Sequence, residues 1–436
     1  MTNNLTNPEP TMDLRDLLAP AVVRNGALAS TLILGAGIAA GEESPHDSLT
    51  SDAALEERAL KLESLPYNIK SGDFRLLFAP ELGFYYNSNV TLSSDNPEED
   101  FILRPAAQIT ATCPVGKRNH FQIDANVGYV EYLDHSEFST LSVNSGSLLS
   151  FDLYLEDFWI NLHDRFAYTR DPAAVAAVAN TAVYGGLDNT VGLSVTRDFL
   201  DFVPTLGYDH YNFIASSSEY SYRDNGAELL SASAGFRFHP TVIAGLEANG
   251  SLTTYDEPVL NDNTGLSAGV YADWKVGHYL TVTARGGYTT FFFDQTSLTM
   301  RAVDQNGWYL GLTLDHDISE AVSYSLSAGH ELRLGISTDT IEDWYVRAYA
   351  NWKIVKHLDF TTSLSYENGT QGSTTIQGSR YQEDYDWFHG KIGLRHPITK
   401  RIQASLDYRF TFRSSNLPLR GYTQNLIGFR LIYLLK

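Results

Sequence analysis

The stretch IQASLDYRFTF, residues 402–412, alternates strictly between two kinds of side chain. Leu406 and Phe410 lie on one face of it, and Asp407 and Arg409 lie on the other. A period of two is the period of a β-strand, because successive side chains of a strand point to opposite faces. The stretch therefore predicts a strand that separates an apolar environment from a polar one.

The same alternation continues from residue 74 to the end of the chain and divides into about 18 segments, an even number as in bacterial single-chain barrels. Most segments are longer than the ~5–6 residues of a typical soluble strand, and they suit the ~9–11 tilted residues that cross a bilayer. The predicted strands are 74–87, 101–113, 120–134, 141–154, 158–170, 187–197, 201–214, 224–238, 242–255, 264–275, 279–293, 306–316, 321–335, 342–353, 358–368, 383–396, 401–413 and 421–435.

The connections between these segments alternate in length. Those after even-numbered segments are short, such as 240–241 and 355–357, whereas those after odd-numbered segments are longer and polar, such as 88–100 and 171–186. Outer-membrane barrels have this asymmetry, with short periplasmic turns and long outer loops. A soluble sandwich or propeller also alternates, but segment length and turn asymmetry favour the membrane. Because open sheet edges cannot be tolerated in hydrocarbon, we predict an all-β, transmembrane, antiparallel up-and-down β-barrel.

Composition and charge exclude several other classes of protein. Hydrophobic residues make up 43 % of the 436 residues, and no apolar run reaches the ~20 residues of a spanning helix. Tyr (26), Phe (22) and Gly (33) are abundant while Met is 3, which favours strands and tight turns. A formal charge of −21 would repel a phosphate backbone, so we expect no nucleic-acid partner.

The N-terminal part of the chain has a different pattern. Arg24 precedes an apolar stretch, 27–40, which ends in small residues and is followed by two glutamates. This is the layout of a secretory signal, and a buried or anchoring helix is the alternative. We therefore expect a signal peptide over 1–41, a periplasmic or plug segment of helical or disordered character over 42–73, and an outer-membrane β-barrel over 74–436.

Aromatic residues on the apolar face are placed as membrane-interface girdles would place them. Trp274 and Trp352 lie near short turns. The aromatic residues near long loops are Tyr129, Tyr168, Tyr288, Trp308, Trp344 and Tyr366. Rings of Tyr and Trp at both interfaces are typical of membrane barrels.

The polar face carries charges in nearly every strand, and these charges predict a wet lumen. An unpaired charge packed in a dry interior would cost several kcal/mol, whereas a barrel of about 16–18 strands is wide enough for water. The predicted pore-lining residues are Asp124, Arg165, Arg237, Glu247, Asp273, Arg285, Asp315, Arg333, Arg347, Asp407, Arg409 and Arg430. Bases gather towards the C-terminus, where Arg395 and Arg413 add to the wall. Two interpretations remain open: a transverse field that filters solutes, or cross-strand ion pairs that stiffen the wall.

The first hairpin resembles a known family. Residues 81–90 read ELGFYYNSNV, and the return strand begins DFILRP at 100–105. This is similar to the opening hairpin of the outer-membrane β-barrel porins that are often found beside exopolysaccharide-export systems. The chain departs from the family pattern at Asn87 and Ser88, and it ends in Leu435 and Lys436 instead of a terminal aromatic residue. The resemblance implies a pore or an export role.

Catalytic and metal-binding patterns give no support for an enzyme. Residues 265–269 fit the G-x-S-x-G pattern of hydrolases, but they lie inside an alternating strand instead of a strand-to-helix elbow. His163, His210, His330 and His389 belong to no Ser–His–acid order, and no Cys/His metal spacing is present. We expect no enzymatic activity, no catalytic or metal-ligand residues and no cofactor.

The sequence predicts a porin-like channel in the bacterial outer membrane for passive diffusion of small polar solutes, with oligosaccharides as one class. Inward Tyr271, Tyr309, Tyr345 and Tyr349 are candidate sugar-stacking surfaces or space fillers. The alternative is a non-conducting scaffold or exopolysaccharide-export partner, closed by residues 42–71 or by the long loop 171–186, in which 173–178 would fold inward as a short helix. Expected partners are outer-membrane lipid, lipopolysaccharide and the barrel-assembly machinery, and the oligomeric state is left open.

Overall fold

In a computed structural model, the described residues form eighteen long antiparallel strands and one short strand. The structure describes residues 67–435, apart from 117–118, 156–157, 198, 200, 240, 278, 299, 320, 337, 356 and 377–378. The strands are β1 Ile69–Ser71, β2 Phe74–Asn87, β3 Asp100–Val115, β4 Asn119–Tyr132, β5 Thr140–Leu155, β6 Phe158–Tyr168, β7 Gly186–Arg197, β8 Phe202–Ala215, β9 Asn225–His239, β10 Val242–Tyr255, β11 Asn263–Val276, β12 Leu280–Phe293, β13 Gln305–Ser319, β14 Val322–Leu334, β15 Thr340–Val355, β16 Leu358–Ile376, β17 Ser379–Pro397, β18 Ile402–Ser415 and β19 Tyr422–Tyr433. Three short 3-10 turns accompany them, Ser136–Phe138, Pro172–Ala174 and Ser221–Arg223.

The sheet closes on itself. From β2 to β19 each strand pairs with the next strand along the chain, and β19 pairs with β2 in a register that runs from Leu426 opposite Asn87 to Ile432 opposite Glu81. The short strand β1 folds back on the start of β2. Closure gives every long strand two neighbours, so the predicted up-and-down barrel is confirmed.

The outer surface of the barrel is apolar. Leu206 is 63 % exposed and Leu246 is 60 % exposed, and both alternate with inward polar residues along their strands. Such a continuous apolar surface is unfavourable in water and favourable against acyl chains. The predicted girdles are present, since Trp274 and Trp352 are exposed near the short turns and Trp344 is exposed near the long loops. This is the architecture of a bacterial outer-membrane protein.

The predicted strand limits agree with the structure to within a few residues, except in one hairpin. The sequence predicts a loop over 369–382, but β16 continues to Ile376 and β17 begins at Ser379. Residues 369–376, GTQGSTTI, are polar at most positions, so no apolar face marks them as a strand. A hairpin that continues beyond the membrane needs only backbone pairing, and β-branched Thr suits it.

The short and long connections alternate as predicted, except between β16 and β17, where the predicted long loop is a short connection. Only a few residues separate β11 from β12 and β17 from β18, whereas the loops 88–99, 169–185 and 294–304 are long. No helix among the described residues has the length and apolar character needed to cross a membrane. The predicted signal peptide, 1–41, and residues 42–66 of the predicted plug segment lie outside the described residues.

Candidate functional site

All of the predicted pore-lining residues lie on the inward face of the wall. Most of them alternate along their strands with outward apolar side chains, as Arg409 does between Tyr408 and Phe410. These residues are Asp124, Arg165, Arg237, Glu247, Asp273, Arg285, Asp315, Arg333, Arg347, Asp407, Arg409 and Arg430. An inward position is required of a pore-lining residue, and it does not by itself make the lumen a conducting path.

Several inward charges are paired across strands. A guanidinium nitrogen of Arg285 on β12 lies 3.3 Å from a carboxylate oxygen of Glu247 on β10. Arg333 on β14 lies between Asp343 and Glu367, with nitrogen–oxygen distances of 2.7 and 2.8 Å. Cross-strand ion pairing, one of the two interpretations of these charges, is therefore present at these positions. Each pair also holds two strands in register through side chains as well as backbone.

One cavity in the lumen collects positive charge. Its volume is about 130 Å³, close to the ~150 Å³ of an engineered cavity that binds benzene. Its charged lining consists of Glu81, Arg104, Arg170, Asp171, Lys391, Asp407, Arg409 and Arg430. Five of these residues are basic and three are acidic, so the lining carries an excess of two positive charges. We call this space the basic cavity.

Arg430 is held at one side of the basic cavity by three groups. Its Nη1 lies 3.5 Å from Glu81 and its Nη2 lies 3.4 Å from Asp407. Its Nε donates a hydrogen bond of 3.2 Å to Ser405 Oγ. These contacts fix the guanidinium against the wall between β2 and β18, where the two ends of the sheet meet.

Arg409 joins the wall to the loop between β6 and β7. Its Nη1 lies 2.5 Å from Asp171 Oδ2, and its Nη2 donates to Gln424 Oε1 at 3.1 Å. Within the described part of the chain, neither Arg409 Nε nor Arg170 Nε has a hydrogen-bond acceptor, although both atoms are buried. A buried donor without an acceptor costs about 1–3 kcal/mol, so this part of the lumen favours an additional oxygen ligand.

The loop between β6 and β7, residues 169–185, folds into the lumen. Ala173 to Val178 are no more than 5 % exposed, and Val175 packs in one cluster with inward Tyr385 and Trp387. Inward folding is confirmed, but the predicted short helix is wrong except for the single 3-10 turn at Pro172–Ala174. The carbonyl groups that follow this turn are used by arginine side chains instead of by helical hydrogen bonds.

Two arginines hold the folded loop. Arg413 Nε donates to Ala176 O at 2.6 Å, and Arg420 Nη2 donates to Ala177 O at 2.8 Å. Both guanidinium groups also bind the carboxylate of Glu383, at 2.7 and 2.8 Å. The side chains of Arg413 and Glu383 are completely buried. Loss of one partner from a buried pair costs about 3–5 kcal/mol, so the loop is anchored strongly.

Inward tyrosines lie flat on glycines of neighbouring strands. Tyr309 on β13 covers Gly287 on β12, where an added Cβ would lie 2.6 Å from the tyrosine Cε1 and 2.5 Å from its hydroxyl. The Tyr309 hydroxyl donates to Glu247 at 2.8 Å. The same close contact of a tyrosine ring with a glycine recurs for Tyr85 and Gly428, Tyr271 and Gly245, Tyr345 and Gly329, and Tyr385 and Gly369. The glycines are therefore required by the close approach of the rings.

Arginine guanidinium groups also lie near some of these rings. The Arg347 guanidinium carbon lies 4.5 Å from the Tyr345 ring centroid, and that of Arg285 lies 6.0 Å from the Tyr271 centroid. Tyr271 is buried and Tyr345 is half-buried, so little of either ring is open to a sugar. The structure therefore disfavours Tyr271 and Tyr345 as sugar-stacking surfaces and supports a space-filling role.

The histidines considered for catalysis make structural contacts. His163 faces inward and lies 2.7 Å from both Asn161 Oδ1 and Asp209 Oδ1. His330 faces outward, with its ring centroid 3.9 Å from that of Trp308. The G-x-S-x-G stretch, 265–269, lies within β11. In the portion of the chain that the structure describes, no three His, Cys, Asp or Glu side chains are grouped to hold a metal ion.

Sequence reasoning missed several residues of the basic cavity and of the loop anchor. Arg170 was placed at the end of the predicted strand 158–170, Asp171 was placed at the start of the long loop 171–186, and Arg104 was noted only for the family resemblance. The signal at Asp171 was available, because Asp followed by Pro is a typical start of a helical turn. In the structure Asp171 does accept a hydrogen bond from Ala173 N at 3.1 Å. The apolar stretch 173–178 suggested that the loop could fold inward, but nothing local indicated that Asp171 would reach Arg409.

Comparison with known proteins identifies similar solved structures only. No family model matches the chain, and no curated protein matches it. The outer membrane protein OpdK of Pseudomonas aeruginosa has a TM-score of 0.44 and 12 % identity, covering 82 % of this chain and 99 % of that one. OccK2 (OpdF) of the same organism, in complex with glucuronate, has a TM-score of 0.47 and 10 % identity, covering 84 % and 99 %. Similarity at this level says nothing about the solute of this protein.

Proposed function

We propose that this protein is an outer-membrane channel through which small polar solutes diffuse passively. The observation that supports it most is the basic cavity, a charged space inside a closed barrel whose outside is apolar. Charges such as Arg409 and Arg430 need water or counter-charges, and a lumen lined by them offers a polar solute a route through hydrocarbon. The cavity size favours solutes of about one ring over oligosaccharides, as does the covered state of Tyr271 and Tyr345.

Single-channel recording in planar bilayers tests this proposal. We expect discrete conductance steps when purified protein is added to one side of the membrane. Insertion is verified by the heat-modifiable mobility of the barrel recovered from the membrane. Inserted protein that gives no conductance steps would overturn the proposed channel function.

The bases of the cavity are expected to set ion selectivity. Replacing Arg409 and Arg430 together with alanine removes two positive charges within a Debye length, ~10 Å, of any ion in the cavity. The ratio of anion to cation permeability should fall about two- to threefold, measured from the reversal potential in a salt gradient. The matched control is the double change Arg301→Ala and Arg401→Ala, since both residues are exposed outside the cavity. Equal shifts in the two variants would show that the cavity does not filter ions.

A second candidate is a non-conducting scaffold or exopolysaccharide-export partner. The observation that favours it is the loop 169–185, which occupies part of the lumen and is anchored by buried arginine contacts. A membrane-inserted barrel without conductance supports this candidate, and co-purification with export proteins would then be the next measurement.

A further inference from the structure

The basic cavity has the chemistry of an oxyanion site. Its lining carries two more positive than negative charges, and it includes two arginines, Arg170 and Arg409, whose buried Nε atoms have no acceptor among the described residues. Guanidinium groups bind carboxylates through paired N–H groups in a fixed geometry. Arg104 on β3 adds a third cation, whose guanidinium carbon lies 5.7 Å from the Tyr85 ring centroid.

The loop places one of its own carboxylates at this site. Asp171 binds Arg409 through both oxygens, at 2.5 and 3.4 Å, and its side chain remains 40 % exposed. Burial alone would raise the pKa of Asp171, but the charge and hydrogen bond of Arg409 outweigh it and hold the pKa below its ordinary value. Asp171 is therefore an anion at neutral pH, bound in the manner of a solute carboxylate but tethered to the loop.

We propose that the basic cavity binds the oxyanion of a small, single-ring organic acid, and that Asp171 occupies part of this site until the solute displaces it from Arg409. The size follows from the cavity volume of about 130 Å³, and the charge follows from the excess of bases. The proposal rests on the proposed channel function and names the solute class for the same lumen.

Removal of the Asp171 charge tests whether Asp171 competes with the solute for Arg409, without disrupting the loop. Asn accepts the capping hydrogen bond from Ala173 N about as well as Asp does, so Asp171→Asn keeps the turn and removes the anion. The variant should bind benzoate about tenfold more tightly than the wild type, because its site has one negative charge fewer. Asp95→Asn is the matched control, since it changes the charge equally at an exposed loop position.

Equilibrium binding to detergent-solubilised barrel, measured by calorimetry with benzoate and its neutral analogue benzamide, decides the proposal. We expect benzoate to bind more tightly than benzamide, Asp171→Asn to tighten benzoate only, and Arg104→Gln to weaken benzoate with the fold unchanged. Equal affinities for the two probes, or an Asp171→Asn affinity equal to that of Asp95→Asn, would overturn it. Benzoate binding by a barrel that gives no conductance would contradict the channel function and support the anion site. Conductance by a barrel that does not bind benzoate would support the channel function and contradict the anion site.

Discussion

Replacement of Gly287 with alanine is expected to destabilise the barrel by about 1–3 kcal/mol, the usual cost of overpacking. A Cβ at this position would lie 2.5 Å from the Tyr309 hydroxyl and would overlap the carbonyl oxygen of Ala268. The tyrosine could move only by giving up its hydrogen bond to Glu247, and the carbonyl belongs to the backbone of β11. Both responses disturb the wall across three strands.

The neighbouring residue provides the control. Gly286 points outward, and an added Cβ there would meet nothing closer than Leu310 Cδ1 at 3.5 Å, an ordinary contact. Gly286→Ala should therefore unfold at the wild-type temperature, while Gly287→Ala should lose its compact, heat-modifiable form at a lower one. The measurement is the fraction of folded barrel on gels after heating in detergent. The same unfolding midpoint temperature for both variants would mean that the close contact of tyrosine with glycine contributes nothing to stability.

This pair of glycines also shows what alternation can and cannot predict. A period of two assigns each residue to the inward or outward face, because the strand itself fixes that periodicity. It does not say which inward residues on neighbouring strands touch. Tyr309 covers Gly287 because β12 and β13 pair with Gly287 opposite Tyr309. That register depends on the whole hairpin. The inward tyrosines were therefore identified from the sequence, but the glycines that their rings contact were not.

Strand limits were predictable wherever lipid and water act on opposite faces. The strand β10, Val242–Tyr255, was predicted to the residue because its outward leucines mark the membrane. The apolar pattern fails where β16 and β17 continue as a hairpin past the predicted strand ends. Buried Gln371 and Glu383 are as polar there as their neighbours Thr370 and Asp384, so the strands look like a loop in the sequence.

The candidate site was predictable only as a list of inward charges. The wall bases Arg409 and Arg430 were identified because they alternate with apolar neighbours. Asp171, the residue that most alters the electrostatics of the cavity, comes from a loop 238 positions away from Arg409 along the chain. Contacts of this kind depend on how the closed barrel positions its loops, and a local pattern carries no information about that.

Replacement of Arg413 with alanine is expected to release the loop and raise single-channel conductance about twofold by widening the lumen. Arg413 donates to Ala176 O, to Arg420 O and to Glu383, and it is the only one of the two loop-anchoring arginines whose side chain is completely buried. Truncation removes all three hydrogen bonds at once and, among the described residues, leaves Glu383 with Arg420 as its remaining ion-pair partner and with hydrogen bonds from Ser415 and Gln371. Removal of one partner of a buried ion pair costs about 3–5 kcal/mol, so the loop then depends on its remaining polar contacts, chiefly those of Asp171 with Arg409 and of Ala177 O with Arg420.

The second anchoring arginine distinguishes release of the loop from a general loss of charge. Arg420→Ala removes the same charge, but the Arg420 side chain is 25 % exposed, and among the described residues it bonds Ala177 O and Glu383. Its conductance should therefore lie between that of the wild type and that of Arg413→Ala. Arg413→Lys keeps the charge beside Glu383, but its single amine nitrogen cannot reach Ala176 O, Arg420 O and Glu383 together as the guanidinium does. We therefore expect Arg413→Lys to conduct more than the wild type as well. If Arg413→Ala folds, inserts and conducts as the wild type does, the loop does not narrow the path, because release of its strongest anchor would then have changed nothing that an ion encounters.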